Sequence, residues 1–232
     1  MPPFYHARIR QRIEVSLQIQ FAAFSHSRLR SGIILPKNTY MDRKPPTLEP
    51  GRVYRTREFA VWSSNPPRFA RRLARAGVLR ALAHGLYSCP RTGGFGEVPP
   101  TDAELMRAFL EDSAHVFTGP HHWNALGLGT TALFAMPVVY NTKRSGVFEF
   151  AGRRFLLRRV AFPPSPSPEW YVVDLFEHAD AVGTSPSELA TALADRVRAG
   201  AFDTTRLRGM ASRYGTRQTR NAIDAALAAS AA

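Results

Sequence analysis

The chain has 232 residues, a single cysteine and a formal net charge of +13. That length builds one or two domains with a proper core, and the lone Cys89 excludes a disulfide framework or a Cys-based zinc site and fits a reducing cytoplasm. The charge is regional, with 17 Lys/Arg against 5 Asp/Glu in residues 1–100 and 14 against 13 in residues 101–232, the footprint of a first half that meets a polyanion. A membrane surface would attract the same charge, but no apolar run approaches the ~20 residues that span a bilayer.

Residues 1–45 are Arg-rich, with Glu14 and Asp42 their only acids. They read as a basic N-terminal extension, disordered or marginally structured, and no function is assigned to them. Pro45 to Pro50 forms a short linker, after which residues 51–92 read as a winged helix-turn-helix.

Its first helix starts at Thr56 as the cap, with Phe59, Ala60 and Trp62 packing inward, and Ser63-Ser64-Asn65 makes the turn. Asn65 is a favoured N-cap and Pro66 sits at the first helical position, where a missing N–H costs nothing. In the second helix Phe69, Ala70, Leu73, Ala74 and Ala76 form the apolar side, while Arg68, Arg71, Arg72 and Arg75 recur at i, i+3, i+4 and i+7 on the other. Gly77 ends it. Val78 to Leu82 alternates as a half-buried strand, Ala83-His84-Gly85 turns, and Leu86-Tyr87-Ser88 returns, giving a wing that carries Arg80 and His84. A cationic helix face grips phosphates or reaches guanine edges in the major groove. The same pattern also describes a solvated helix face, or a protein-docking surface.

Pro90 to Pro100, with Gly93, Gly94 and Gly96, reads as a flexible linker. Residues 100–232 then form a mixed α/β domain, so the fold class expected for the whole chain is α+β. Thr101-Asp102-Ala103-Glu104 is a capping box opening a helix with Leu105, Met106, Phe109 and Leu110 on its core side. His115 to Phe117 is a short strand, and Gly119-Pro120 starts a helix that ends at Gly127 and Gly129. Pro137 to Tyr140 is a strand. Val147 to Phe150 and Phe155 to Arg158 flank a hairpin turn. A helix or strand carrying Trp170, Val173 and Phe176 follows Ser167-Pro168-Glu169. Ser185-Pro186-Ser187-Glu188 is a second capping box, and two further helices, Thr204–Tyr214 and Thr216–Ala228, are broken at Gly215.

No catalytic constellation, cofactor site or metal site is read from the chain. His121 and His122 are adjacent, so on a helix their side chains point ~100° apart and cannot easily share one metal. Asp174 and Glu177 share a helix face and read as an exposed acidic turn. Gly127-Leu128-Gly129-Thr130-Thr131 lacks the lysine of a phosphate-binding loop, and no acid–x–Lys strand of a nuclease is present.

The arginine helix with its Gly-Leu-Tyr wing return resembles the N-terminal domain of the AbiEi-type antitoxins. The run Gly119-Pro120-His121-His122-Trp123-Asn124-Ala125-Leu126-Gly127-Leu128 is similar to a Gly-Pro-x-x-x-Asn-x-Leu-Gly-Leu stretch that follows it there, and the order of elements from Gly51 to Leu227 agrees. The resemblance implies a transcriptional repressor that binds double-stranded DNA at promoter repeats of its own operon and suppresses a nucleotidyltransferase toxin. It also implies that Arg68, Arg71, Arg72, Arg75, Arg80 and His84 face DNA. The chain departs from the pattern at Leu82-Ala83-His84, where relatives carry more arginine, and in lacking a readable helix before Gly51.

Overall fold

The computed structural model describes residues 47–231, and the basic N-terminal extension read over 1–45 lies outside them. The described chain is mixed α+β, with seven α-helices, two 3-10 helices and nine strands in three sheets.

The first sheet is built from β1 (Val53–Arg55), β2 (Arg80–Ala83) and β3 (Leu86–Ser88), in the order β1–β3–β2 with both pairs antiparallel. Between β1 and β2 the chain forms a 3-10 helix (Thr56–Val61) and α1 (Pro66–Arg75). The start of α1 follows from its local chemistry: Asn65 Oδ1 accepts the Arg68 N–H at 3.1 Å, and Pro66 occupies the first turn. The preceding helix differs from the sequence reading. It is 3-10 rather than α, and Thr56 is its first residue rather than its cap, because Glu58 Oε1 reaches back to the Arg55 N–H at 2.6 Å. Phe59 is fully buried there, with the rings of Tyr54, Trp62, Phe69 and Tyr87 around it at 5.8–6.2 Å. Ala60 does not pack inward but is exposed. One aromatic anchor therefore holds a short turn that has too few residues to be a stable helix by itself.

Where a flexible linker was expected, the chain pairs with itself. β4 (Arg91–Gly93) and β5 (Gly96–Val98) form an antiparallel hairpin, with Arg91 opposite Val98 and Thr92 opposite Glu97. The glycines that suggested looseness instead permit the tight reversal.

α2 (Asp102–Phe109) opens on the expected capping box, in which the Glu104 N–H donates to Thr101 Oγ1 at 3.2 Å and the Thr101 N–H to Glu104 Oε2 at 2.6 Å. A four-stranded sheet follows, made of β6 (His115–Thr118), β7 (Val138–Asn141), β8 (Gly146–Phe150) and β9 (Arg153–Arg159), with α3 (Pro120–Asn124) between β6 and β7. Its order is β6–β7–β9–β8, and β7 and β9 are its one parallel pair. The chain closes with α4 (Pro168–Phe176), a second 3-10 helix (Ala179–Val182), α5 (Pro186–Arg198), α6 (Thr204–Tyr214) and α7 (Arg217–Ser230). The Ser185–Glu188 capping box and the break at Gly215 stand where the sequence placed them.

Two cores matter for the placement of α1. Tyr54, Phe59, Phe69, Ala70, Leu73 and Leu79 pack under α1 itself. A second cluster joins Val53, Leu82 and Leu86 of the first sheet to Leu105, Met106 and Leu110 at α2 and to Val139, Phe150, Phe155 and Leu157 of the four-stranded sheet. A backbone hydrogen bond from the Ala151 N–H to the Leu82 carbonyl at 2.8 Å ties the edge of one sheet to the other.

α4 is a helix rather than a strand, and it is central rather than peripheral: Trp170 and every residue from Val172 to Phe176 are buried. Asp174 is therefore no exposed acidic turn. It is 5% exposed, and its carboxylate accepts from Trp123 Nε1 at 2.9 Å, from Tyr140 Oη at 2.7 Å and from Thr118 Oγ1. Burial and the Asp174 charge together push the Tyr140 hydroxyl well above its usual pKa. Glu177, by contrast, stays at the surface and accepts the Thr216 N–H at 2.7 Å.

Two stability outcomes follow from this packing. Leu105→Ala removes a fully buried side chain from the shared cluster and costs about 2–5 kcal/mol, read from urea unfolding; a loss below about 1 kcal/mol means the cluster does not hold the sheets together. Asp174→Ala strands three buried donors, each bond to a charged acceptor being worth about 1.5–3 kcal/mol, so a loss of at least about 3 kcal/mol is expected in the same measurement.

Candidate nucleic-acid interface

The apolar side of α1 is fixed by Phe69, Ala70 and Leu73, all buried. That orientation leaves Arg68, Arg71, Arg72 and Arg75 together in solvent along one side. Arg71 Nε donates to the Pro67 carbonyl at 3.3 Å, and the Arg72 guanidinium lies 5.1 Å from the centre of the Phe69 ring. Among the described residues no carboxylate comes within 4.0 Å of Arg68, Arg71 or Arg75.

The other two sequence-selected residues lie on the first sheet. His84 is exposed in the β2–β3 turn, which is held in place by the Thr56 N–H donating to the Gly85 carbonyl at 2.9 Å. Arg80 is exposed but engaged. It donates from Nε to Glu97 Oε1 at 3.3 Å and from Nη2 to Oε2, and this hydrogen-bonded pair, followed by the Glu97 charge, lifts the guanidinium pKa further above its usual range. Arg80 thus fastens the β4–β5 hairpin to the sheet that continues α1. Its partner sits 17 residues along the chain, a separation that gives no periodic signal in the sequence.

A different group of cations gathers on Glu111, just past the end of α2. Arg55 Nη1 meets Glu111 Oε1 at 2.5 Å, and Arg57 Nη1 and Lys143 Nζ meet Glu111 Oε2 at 3.0 and 3.3 Å. Arg55 also donates to the Phe109 carbonyl at 3.1 Å. Glu111 has φ +59°, a left-handed backbone that side chains seldom adopt, and this conformation follows directly on the end of α2. Partial desolvation alone would raise the Glu111 pKa. The Lys143 hydrogen bond and the Arg55 and Arg57 charges outweigh it and hold the carboxyl below its usual value. The cleft beside this knot, about 660 Å³, is lined by five arginines but also by Glu49, Glu58, Glu104, Glu111 and Asp112. Its charges balance, so it offers an anion much less than the α1 face does.

His122 stacks on Tyr171 at 4.3 Å and 7°, and burial first, then the charge of His121, holds its pKa down. Among the described residues no three His, Cys, Asp or Glu side chains gather where a metal ion would sit, and no helix is long and apolar enough to cross a membrane.

No protein-family model matches this chain, and no curated protein does. Among solved structures, the crystal structure of the RV2827C protein from Mycobacterium tuberculosis is similar at 14% identity and a TM-score of 0.42, over 78% of this chain and 76% of that one.

The Glu111 knot has a pH signature. A carboxyl whose folded pKa is depressed adds stability above its ordinary pKa of roughly 4.3, and loses it as the pH falls through the lower folded value. Glu111→Gln is therefore less stable than the natural chain at neutral pH, and the gap between their urea midpoints closes in acid. A gap that is the same in neutral and acid solution rules out the charge of Glu111 as its source.

Proposed function

We propose that this chain is a DNA-binding transcriptional repressor that acts as the antitoxin of a toxin–antitoxin pair. Residues 51–92 are its winged helix-turn-helix, and residues 100–232 form the part that suppresses a nucleotidyltransferase toxin. The observation that carries the DNA reading is the row of arginines on α1, exposed side by side, with no carboxylate of the described residues beside Arg68, Arg71 or Arg75. The order of strand, short helix, turn, arginine helix and two-stranded return, with β3 paired between β1 and β2, supports a winged helix. The toxin partner rests on the resemblance of the Gly119–Leu128 run to AbiEi-type antitoxins.

In this reading α1 lies in the major groove of double-stranded DNA at promoter repeats. Arg68, Arg71, Arg72 and Arg75 contact phosphates or guanine edges. His84 reaches the backbone from the β2–β3 turn. Arg80 acts on DNA mainly by orienting the hairpin that Glu97 belongs to, and direct contact by its guanidinium requires exchange of that partner. A solvent-exposed ion pair is weak, so a phosphate can compete for it.

Binding of the full chain to a duplex, followed across salt concentrations, tests the proposal. Each phosphate contact contributes about 0.9 to the slope of log affinity against log salt, so converting Arg68, Arg71 and Arg75 together to Ala flattens the slope by about 2–3. Equal binding by the natural and triple-substituted chains at every salt concentration removes α1 from the interface. Weak, salt-insensitive binding by the natural chain instead favours a protein-docking module. Co-expression with a nucleotidyltransferase toxin encoded beside this reading frame checks the antitoxin half: growth is restored by the natural chain, and failure to restore it refutes that half alone.

A further inference from the structure

The β4–β5 hairpin carries a feature that neither the core nor the arginine row explains. Phe95 stands at its tip with a relative exposure of 111%, more open than in an extended chain. The residues around it are Gly93, Gly94 and Gly96, so nothing flanks the ring and the tip is thin. Gly96 has φ +112°, which favours glycine, and a Cβ on Gly93 would stand 2.8 Å from the Val98 side chain, whereas one on Gly94 would meet nothing. A two-stranded hairpin with three residues per strand and no sheet beneath it is marginal by itself. This one is anchored by Arg80 through Glu97, five residues beyond the last arginine of α1. The same pair neutralises the hairpin's only acid, and the exposed Arg91 at its base adds a positive charge.

We propose that this hairpin is a wedge that sets the Phe95 ring against a base step of the duplex held by α1. The inference rests on the DNA-binding reading above. Three properties select nucleic acid over a protein partner as the occupant. The apolar surface is one ring on a thin tip rather than a patch, whereas protein interfaces bury contiguous area. Its surroundings are cationic or neutralised, as a polyanion requires. And a lone aromatic or aliphatic side chain inserted between base pairs is a known way to unstack and kink a duplex, easiest at pyrimidine–purine steps.

The test uses the full chain and a short A·T-rich duplex carrying 2-aminopurine at its TA steps. Binding by the natural protein raises the 2-aminopurine emission as the step unstacks. Phe95→Ala abolishes that rise and weakens binding about tenfold, in line with the value of base–aromatic stacking, while the salt slope set by the arginines is unchanged. Phe95→Trp keeps the rise, and its added indole emission is quenched on the duplex. If Phe95→Ala binds as tightly and gives the same rise, or the natural protein binds with a steep salt slope and no rise, the wedge is overturned and the repressor reading stands. If the natural protein does not bind duplex at all, both fall.

Discussion

The position of every candidate functional residue depends on the apolar side of α2. Leu105, Met106 and Leu110 are wholly buried between the first sheet and the four-stranded sheet. Fully burying one such side chain is worth about 1.5–3 kcal/mol. The exposed ion pairs at the rim, including those of Arg52 with Glu49 and Glu58, are worth about 0–1 kcal/mol each. The apolar contact therefore supplies the energy that joins the two sheets. The Glu111 knot adds a polar tie, since one carboxylate meets Arg55 of β1, Arg57 of the 3-10 helix and Lys143 after β7. Because β1 leads into the 3-10 helix and then α1, fixing the first sheet on α2 also fixes where the arginine row points.

The second constraint is polar and lies deeper. Desolvating a carboxylate is expensive unless it is hydrogen-bonded, and Asp174 recovers that cost by accepting from Thr118, Trp123 and Tyr140. Those donors come from β6, α3 and β7, so one side chain of α4 fastens three elements at once. His178, one turn along, donates from Nδ1 to the Asp174 carbonyl at 2.8 Å, which leaves Nε2 to accept from Arg158 Nη1 at 2.8 Å. The ring also stacks on Trp123 at 5.1 Å. Each of these partners is already used within the network, so the arrangement clamps α4 to the four-stranded sheet.

What was legible in the sequence was what local chemistry controls. Asn65-Pro66, Thr101 with Glu104, and Ser185 with Glu188 each decide a helix start from side chains three residues apart or closer, and each start is where its residues put it. The arginine row was legible for the same reason, since helical spacing alone places four side chains on one side. The misreadings share the opposite cause. Asp174 and Glu177 stand three apart and look alike, but one faces the sheet and the other the α6–α7 turn, a distinction set by elements more than thirty residues away. The glycines from Gly93 to Gly96 signal a reversal and a linker equally well, and only the pairing of Arg91–Gly93 with Gly96–Val98 separates the two. Nothing near Glu111 announces that it gathers cations from β1, the 3-10 helix and the segment after β7.

The distribution of acids among the arginines bears on the arginine row itself. Glu49, Glu58, Glu97 and Glu111 all find arginines, and all of those are Arg52, Arg55, Arg57 or Arg80, off the helix. A face that was merely solvated would gain from acids interspersed along it, because pairs one turn apart stabilise a helix and like charges oppose it. The helix dipole sharpens the point. Cations near a C-terminus are favoured, which accounts for Arg72 and Arg75, but near an N-terminus they are disfavoured. Arg68 occupies the first turn of α1, where α2 and α5 place acids. Its position therefore opposes the helix dipole, and no carboxylate of the described residues pairs with it there. In the proposed complex a phosphate backbone along the row reverses that balance, one phosphate meeting Arg68 and Arg71 at the positive end of the dipole and a further one meeting Arg75.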